Sequence, residues 1–212
     1  MGDLRRTTPV DTEWGMDRGS IIDRYYIEKF LAARSAVIRG HVLEVGDDLY
    51  THRYGGGRVT KSDVLHVVDT GGKVTIVADL TAAAAIPSDT FDCAILTQTL
   101  QFIYDVRAVV RTLHRILKPG GAALLTCPGI TKVSQFDSTR WGDYWRFTAL
   151  SAKRLFAEVF PADGITVHAY GNVLSAAAFL YGLATEDLSP EELDVADPLY
   201  EVTIGIEAIK PS

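Results

Sequence analysis

Apolar positions along the chain fall into short continuous runs and stretches with helical spacing. The runs at 42–45, 91–97 and 122–127 are typical of parallel strands that are buried on both faces. Between the last two runs, residues 106–117 place apolar side chains on one stripe, and Asp105 precedes them as an N-cap. The alternation predicts an α/β protein with a doubly wound, mostly parallel sheet.

The remaining pattern completes a seven-stranded sheet. Ser20 and Asp23 form a capping-box arrangement that opens a helix over about 21–34. Glycines 55–57 leave little room for a helix after the first strand, and Gly120 and Gly121 suit a helix C-cap better than a ligand contact. Further predicted elements are strands at 58–63, 74–77, 165–170 and 202–208, the last at an edge, and helices from 148, over 173–184 and from 189.

We expect one domain over 1–212, with an N-terminal helical lid at 1–35 and an α/β core at 36–212. The chain has 212 residues and 47% hydrophobic content, which suffices for one well-filled core.

Charge and hydropathy exclude several classes of function. The net charge of -6 and the pI near 5.3 argue against nucleic-acid substrates. No apolar stretch is long enough to span a membrane, and residues 1–10 do not read as a signal peptide, so we expect a cytoplasmic protein. Cys93 and Cys127 are expected to be buried reduced thiols, and the five histidines show no metal-ligand spacing.

The turn after the first strand bears on the cofactor. Gly46 can make a sharp turn beneath a ligand, but Asp47 and Asp48 stand where a dinucleotide fingerprint has further glycines. Two carboxylates would repel a pyrophosphate, whereas S-adenosylmethionine carries a sulfonium and an ammonium and no phosphate. A simple Asx turn is the alternative explanation for these two residues.

The chain resembles the class I S-adenosylmethionine-dependent methyltransferases, of the methyltransferase type 11 kind, over most of its length. The resemblance rests on Pro87-Ser88-Asp89-Thr90-Phe91-Asp92, on Ile95-Leu96-Thr97-Gln98-Thr99-Leu100 and on Leu113-His114-Arg115-Ile116-Leu117-Lys118-Pro119-Gly120-Gly121. The segment Asp143-Tyr144-Trp145-Arg146-Phe147-Thr148 is similar to one in bacterial members near glycan biosynthesis.

The resemblance implies a cofactor site. Glu44 and Gly46 would lie under the methionine end of S-adenosylmethionine, and Asp63 would accept hydrogen bonds from the ribose hydroxyls. Asp79 and Leu80 would meet the adenine, and Thr97 and Gln98 would lie beside the sulfonium. Asp63 and Asp79 also suit ordinary strand-end turns, and Asp69 competes with Asp63 if the second strand runs later.

An aromatic and charged cluster follows the fifth strand, where an acceptor would bind. Asp143 is the candidate base, with Trp141 and Tyr144 as walls that suit a sugar face and Arg146 as a further substrate contact. In the N-terminal segment, Arg18 and Tyr25 are candidate substrate contacts within a lid that also contains Trp14, Asp23 and Arg24. The alternatives are that the aromatic residues of the cluster are core and that Tyr25 lies on the buried face of its helix.

These observations favour a methyltransferase that acts on a small molecule or glycan intermediate, at oxygen. The alternative is a non-catalytic module of the same fold that binds a partner such as a glycosyltransferase; a homodimer is also conceivable. An NAD-dependent epimerase or dehydrogenase ranks last, because the glycines and a Tyr-x-x-x-Lys pair are missing.

Overall fold

Seven strands form one sheet in the order β3-β2-β1-β4-β5-β7-β6. The computed structural model describes residues 5–69 and 71–212. Residues 1–4, which belong to the segment that we do not expect to be a signal peptide, lie outside the described residues. The strands are β1 (Gly40–Val45), β2 (Val59–His66), β3 (Ile76–Val77), β4 (Phe91–Thr97), β5 (Leu117–Pro128), β6 (Ile165–Tyr170) and β7 (Thr203–Ile209). The first five are parallel, and β7 pairs antiparallel with both β5 and β6. The predicted doubly wound, mostly parallel sheet is confirmed.

Helices cover both faces of the sheet. They are α1 (Ile22–Ala33), α2 (Val106–Ile116), α3 (Gln135–Ser138), α4 (Ala149–Phe156), α5 (Val173–Tyr181) and α6 (Pro190–Asp194). The apolar stripe of α2 and the buried side chains of α4 pack in one core layer with β4 and β5. Phe30 and its neighbours on α1 pack in the layer on the opposite face. This two-sided burial explains why the central strands read as unbroken apolar runs.

Local capping signals explain several helix starts. Asp105 accepts a hydrogen bond from Ala108 N–H at the start of α2, and Thr148 forms a capping box with Ser151 at the start of α4. The expected capping box of Ser20 and Asp23 is wrong: Ile21 is the N-cap of α1, and the Ser20 N–H and hydroxyl both donate to Glu186.

Three other features of the strands differ from the sequence-based expectation. β2 runs on to His66, because Val64 and Leu65 continue the parallel pairing with β1 and His66 pairs with Val77 of β3. Gly120 and Gly121 lie inside the span of β5 rather than at a helix C-cap, because α2 gives way to the strand directly after Ile116. β7 is not an edge strand, since β6 covers its far side.

The segment between β1 and β2 contains no full helix, as the glycines predicted. Residues 51–55 form one wide turn and residues 56–58 a short 3-10 turn. Cys93 and Cys127 are buried and free, as expected. Within 5–69 and 71–212, no helix is long and apolar enough to cross a membrane. In the same ranges no group of three or more His, Cys, Asp and Glu side chains is arranged to hold a metal ion.

Candidate functional site

The carboxyl ends of the parallel strands form one edge of the sheet, and β1 turns there at Gly46. The Gly46 N–H donates to Leu65 O at 3.0 Å, which ties the turn to the neighbouring strand β2. Gly46 has a φ of 94°, and a Cβ added there would meet no atom within 4 Å. The glycine is therefore required by its backbone conformation, and the space beside it is open to a ligand.

A cavity of about 680 Å³ opens at this edge over the ends of β1 to β4. Open parallel sheets bind ligands at this place, and the volume falls in the range of about 300–1,000 Å³ that small-molecule sites occupy. The lining includes seven of the predicted site residues: Gly46, Asp79, Leu80, Thr97, Gln98, Trp141 and Tyr144. Trp141 and Tyr144, which were predicted as walls of an acceptor pocket, thus share a cavity with the predicted cofactor residues. The contacts of all seven residues with a ligand stay predictions.

Glu44 lies behind the turn rather than on the cavity wall. Its side chain is buried and accepts hydrogen bonds from the N–H groups of Tyr50, at 3.2 Å, and Thr51, at 2.7 Å. Burial raises the pKa of Glu44 to about 7, against the opposing effect of these hydrogen bonds. Glu44 therefore holds the loop that follows Gly46, and it is not among the residues that line the cavity.

The two acids after Gly46 are both engaged by the protein. Asp47 Oδ1 accepts from Leu49 N–H at 3.0 Å, which is the Asx turn considered above. Asp48 forms an ion pair with Lys73 at 2.5 Å and contacts His52 Nε2 at 3.0 Å. The hydrogen bond from Lys73 is the main reason that the pKa of Asp48 lies below its usual value.

Asp63 does not lie at the end of its strand. It pairs with Leu43 in the middle of β2, three residues before His66. Its carboxylate contacts His41 Nε2 at 2.6 Å, Lys61 Nζ at 3.0 Å and Thr75 Oγ1 at 2.9 Å. Burial opposes ionisation, but these donors outweigh it and hold the pKa of Asp63 below its usual value.

The placement of Asp63 as a strand-end carboxylate is therefore wrong, because the strand is longer than its apolar pattern suggested. Asp69, the competing acid, accepts from Gly71 N–H at 2.8 Å and is not part of the cavity wall. The residue that ends β2 on this wall is His66, whose ring centroid lies 5.6 Å from that of Trp141.

A second cavity, of about 240 Å³, lies beside the first. The two share Thr97, Gln98, Phe102 and Asp137 in their linings, so they meet at the carboxyl end of β4. Gln98 has a φ of 45°, an uncommon conformation for a residue other than glycine. Backbone strain of this kind concentrates at functional sites, and here it lies where the two cavities meet.

Asp143 and Arg146 line the smaller cavity as an ion pair. Arg146 donates to both carboxylate oxygens of Asp143, at 2.5 and 3.0 Å, and Ser134 N–H donates at 2.8 Å. Burial opposes ionisation of Asp143, but these donors outweigh it, so its pKa lies below its usual value. A carboxylate held in this way is a weak proton acceptor, which argues against the predicted role of Asp143 as the base.

Arg18 and Tyr25 line neither cavity. Arg18 donates to both oxygens of Asp187, at 2.6 and 2.9 Å, and the Tyr25 hydroxyl donates to Asp194 at 2.6 Å. These contacts attach the N-terminal segment to residues 185–194 on the outside of the molecule, so the structure does not support their assignment as substrate contacts.

The N-terminal residues that do reach the smaller cavity are Trp14, Ile21, Asp23 and Arg24. The sequence marked three of these as part of a lid but assigned them no separate role. It missed Gln101 and Lys132, which also line this cavity, because they stand in stretches with no motif or periodic signal. Only the folded chain brings them to the same wall.

Comparison with known proteins gives a match to one protein family over part of the chain. Residues 50–125 match the model of a family described as a methyltransferase domain. No curated protein sequence matches the chain.

Solved structures share the fold at low sequence identity. A SAM-dependent methyltransferase from Archaeoglobus fulgidus has a TM-score of 0.54 and 11% identity, with 89% of this chain and 99% of that chain covered. The N-methyltransferase NodS of Bradyrhizobium japonicum gives 0.52 and 12%, with 90% and 97% covered. The [4+2]-cyclase SpnF gives 0.58 and 16%, with 92% and 83% covered. Residues 50–125 therefore match a methyltransferase domain, and the chain shares the fold of solved SAM-dependent methyltransferases.

Proposed function

We propose that the protein transfers a methyl group from S-adenosylmethionine to an oxygen atom of a small molecule or glycan intermediate. In this proposal the cofactor binds in the 680 Å³ cavity and the acceptor binds in the 240 Å³ cavity. The observation that carries the proposal is that the two cavities meet at Thr97 and Gln98. A methyl donor on one side and a nucleophile on the other would be in line there, as a displacement requires.

The residues of the larger cavity fit this cofactor. Gly46 leaves its side-chain space open, so the methionine portion can approach the backbone. Asp79 and Leu80 stand together on the wall, where a carboxylate can accept from the exocyclic amine of adenine and an apolar side chain can pack on the ring. When bound, S-adenosylmethionine supplies an electrophilic methyl group on a sulfonium. Lys73 pairs with Asp48 after the Gly46 turn, which offsets the negative charge of that carboxylate.

Neighbouring structures support the cofactor assignment by analogy. The phosphoethanolamine N-methyltransferase 2 of Haemonchus contortus was solved with S-adenosylhomocysteine, and it has the same fold with a TM-score of 0.53 and 12% identity. The cyclase SpnF shows that this fold alone does not set the reaction. The proposal therefore rests on the joined cavities and not on the fold.

The second candidate is a non-catalytic module that binds a partner such as a glycosyltransferase. One observation favours it: β2 ends on the cavity wall in His66 and not in a carboxylate, so a paired acceptor for the two ribose hydroxyls is missing at that position. A homodimer and a cytoplasmic location stay predictions.

Calorimetric titration with S-adenosylmethionine and S-adenosylhomocysteine distinguishes the two candidates. We expect micromolar binding by the wild type, at least tenfold weaker binding by Asp79→Ala, and unchanged binding by Asp163→Ala, which alters an exposed acid in the turn before β6. No heat at millimolar cofactor, with the protein shown to be folded by circular dichroism, would reject the methyltransferase proposal in favour of the binding module.

A further inference from the structure

The smaller cavity contains polar groups that the protein itself leaves without partners. Asp23 and Gln101 both line it, and Asp23 Oδ1 and Gln101 Oε1 are buried without a hydrogen-bond partner among the described residues. Buried acceptors without partners cost stability, so they point to a ligand that supplies donors.

A cation stands on the wall of the same cavity. The Lys132 ammonium lies 3.3 Å from the ring centroid of Trp14 and forms no ion pair with any residue in the described ranges. Trp14 is itself held in place, since its Nε1 donates to Thr131 Oγ1 at 3.3 Å. Burial lowers the pKa of Lys132, against weak opposition from Glu13 and Asp11. Of the other two cations that line this cavity, Arg146 is bound to Asp143 and Arg24 donates to the Tyr50 hydroxyl at 3.0 Å.

We infer that the smaller cavity binds a hydroxyl-bearing organic anion, with Asp23 as the base that accepts the hydroxyl proton and Lys132 as the partner of the anionic group. This inference rests on the proposed function and deepens it, because it names the acceptor class. The hydroxyl oxygen forms a bond to the methyl carbon as the carbon–sulfur bond breaks. The electron pair of that bond stays on sulfur, which becomes a neutral thioether, and the proton passes to the Asp23 carboxylate.

Charge and burial around Asp23 suit a base. Burial is the main cause that raises the pKa of Asp23 to about 6, and Arg24 on the same helix opposes the rise. The other charged groups on this cavity are Lys132, Asp137, Arg24 and the Asp143–Arg146 pair. Arg24 donates to the hydroxyl of Tyr50, which lies in the segment between β1 and β2. A carboxylate with a pKa close to the working pH is both ionised and basic, whereas Asp143 is ionised but only weakly basic.

Matched acceptors test the anion requirement. Initial rates of methyl transfer would be measured with mandelate, benzyl alcohol and phenylacetate, and with lactate, ethanol and propionate. We expect transfer to at least one hydroxy acid, with kcat/KM at least tenfold above its matched alcohol and no transfer to the acids that lack a hydroxyl. Lys132→Met should abolish this preference, and Lys153→Met, on exposed α4 surface, should keep it. Equal rates with the alcohols, transfer to the plain acids or no transfer to any hydroxy acid would each overturn the inference.

The role of Asp23 is tested by its pH profile. Asp23→Asn should lower kcat about 100-fold, as loss of a general base does, and should leave KM within about twofold. The fall of wild-type kcat on the acid side, expected near pH 6, should disappear in the variant. An Asp23→Asn enzyme with wild-type rate and profile would exclude it as the base.

Calorimetry with S-adenosylhomocysteine distinguishes an error in the acceptor class from an error in the proposed function. If the variants Asp23→Asn and Lys132→Met still bind S-adenosylhomocysteine while the acceptor results fail, the acceptor class is wrong and the proposed function stands. If the wild type does not bind S-adenosylhomocysteine, the proposed function itself is wrong.

Discussion

Arg146 holds Asp143 by two hydrogen bonds, at 2.5 and 3.0 Å, on the wall of the smaller cavity. The Asp143 side chain is only 2% exposed and that of Arg146 is 27% exposed. The same guanidinium also donates to Lys132 O at 2.7 Å, so the pair joins the segment after β5 to the chain that precedes α4. The Asp143–Arg146 ion pair therefore links two segments of the chain and has a structural role.

Asp143→Asn should therefore destabilise the fold. We expect the free energy of unfolding to fall by about 2–3 kcal/mol, because the partly buried Arg146 loses its charged partner and a bidentate contact becomes a single one. Urea denaturation followed by circular dichroism measures this loss. Asp163→Asn, at an exposed position, serves as the control and should change stability by less than about 0.5 kcal/mol. Unchanged stability in Asp143→Asn would show that the Asp143–Arg146 ion pair does not stabilise the fold.

Gly46→Ala should weaken cofactor binding more than it weakens the fold. A φ of 94° disfavours any side chain, so we expect about 1–2 kcal/mol of destabilisation, and the new methyl group would project into the cofactor cavity. The dissociation constant for S-adenosylhomocysteine should rise at least tenfold in calorimetry. Gly57→Ala is the matched control, since its Cβ meets nothing within 4 Å and it lies outside the cavity wall. Equal affinities in the two variants would contradict the role of Gly46.

Asp63→Asn should alter the pH dependence of stability and leave cofactor binding unchanged. The folded pKa of Asp63 is lowered, so the carboxylate contributes stability that is present above its unfolded pKa of about 3.9 and is lost as pH falls through the folded pKa. The stability difference between wild type and variant should therefore be largest near neutral pH and shrink in acid. Guanidinium titrations over a range of pH test this. Weaker S-adenosylhomocysteine binding by a folded variant would instead indicate that Asp63 contributes to the cofactor site.

Glu44→Gln should show the opposite dependence on pH. The folded pKa of Glu44 is raised from 4.5 to about 7, so its contribution is most favourable below pH 4.5 and is lost as pH rises to about 7. The free energy of unfolding of the wild type should therefore decrease relative to that of the variant as pH rises from 4.5 to about 7. Thermal unfolding of both proteins in matched buffers would show it. Parallel profiles would mean that Glu44 titrates at its ordinary pKa.

The pattern of apolar residues determined the architecture of this protein. Buried parallel strands must be apolar on both faces, and the stripe of α2 must face the sheet, so the order and type of these elements could be predicted from local sequence. Gly46, Asp79, Leu80, Thr97 and Gln98 were located for the same reason, because parallel strands bring their carboxyl ends to one edge.

Tertiary structure alone decided which side chains remain available for chemistry. Asp63 was misplaced because the length of β2 depends on hydrogen bonding to β1, which no local pattern records. Asp143 has a side chain that could serve as a base, but the contact with Arg146 lowers its pKa, which argues against that role. Asp23 and Lys132 are far apart in sequence and share a cavity only after the N-terminal segment packs against the end of β5. Availability depends on partners that are distant in the chain, and folding alone supplies or removes them.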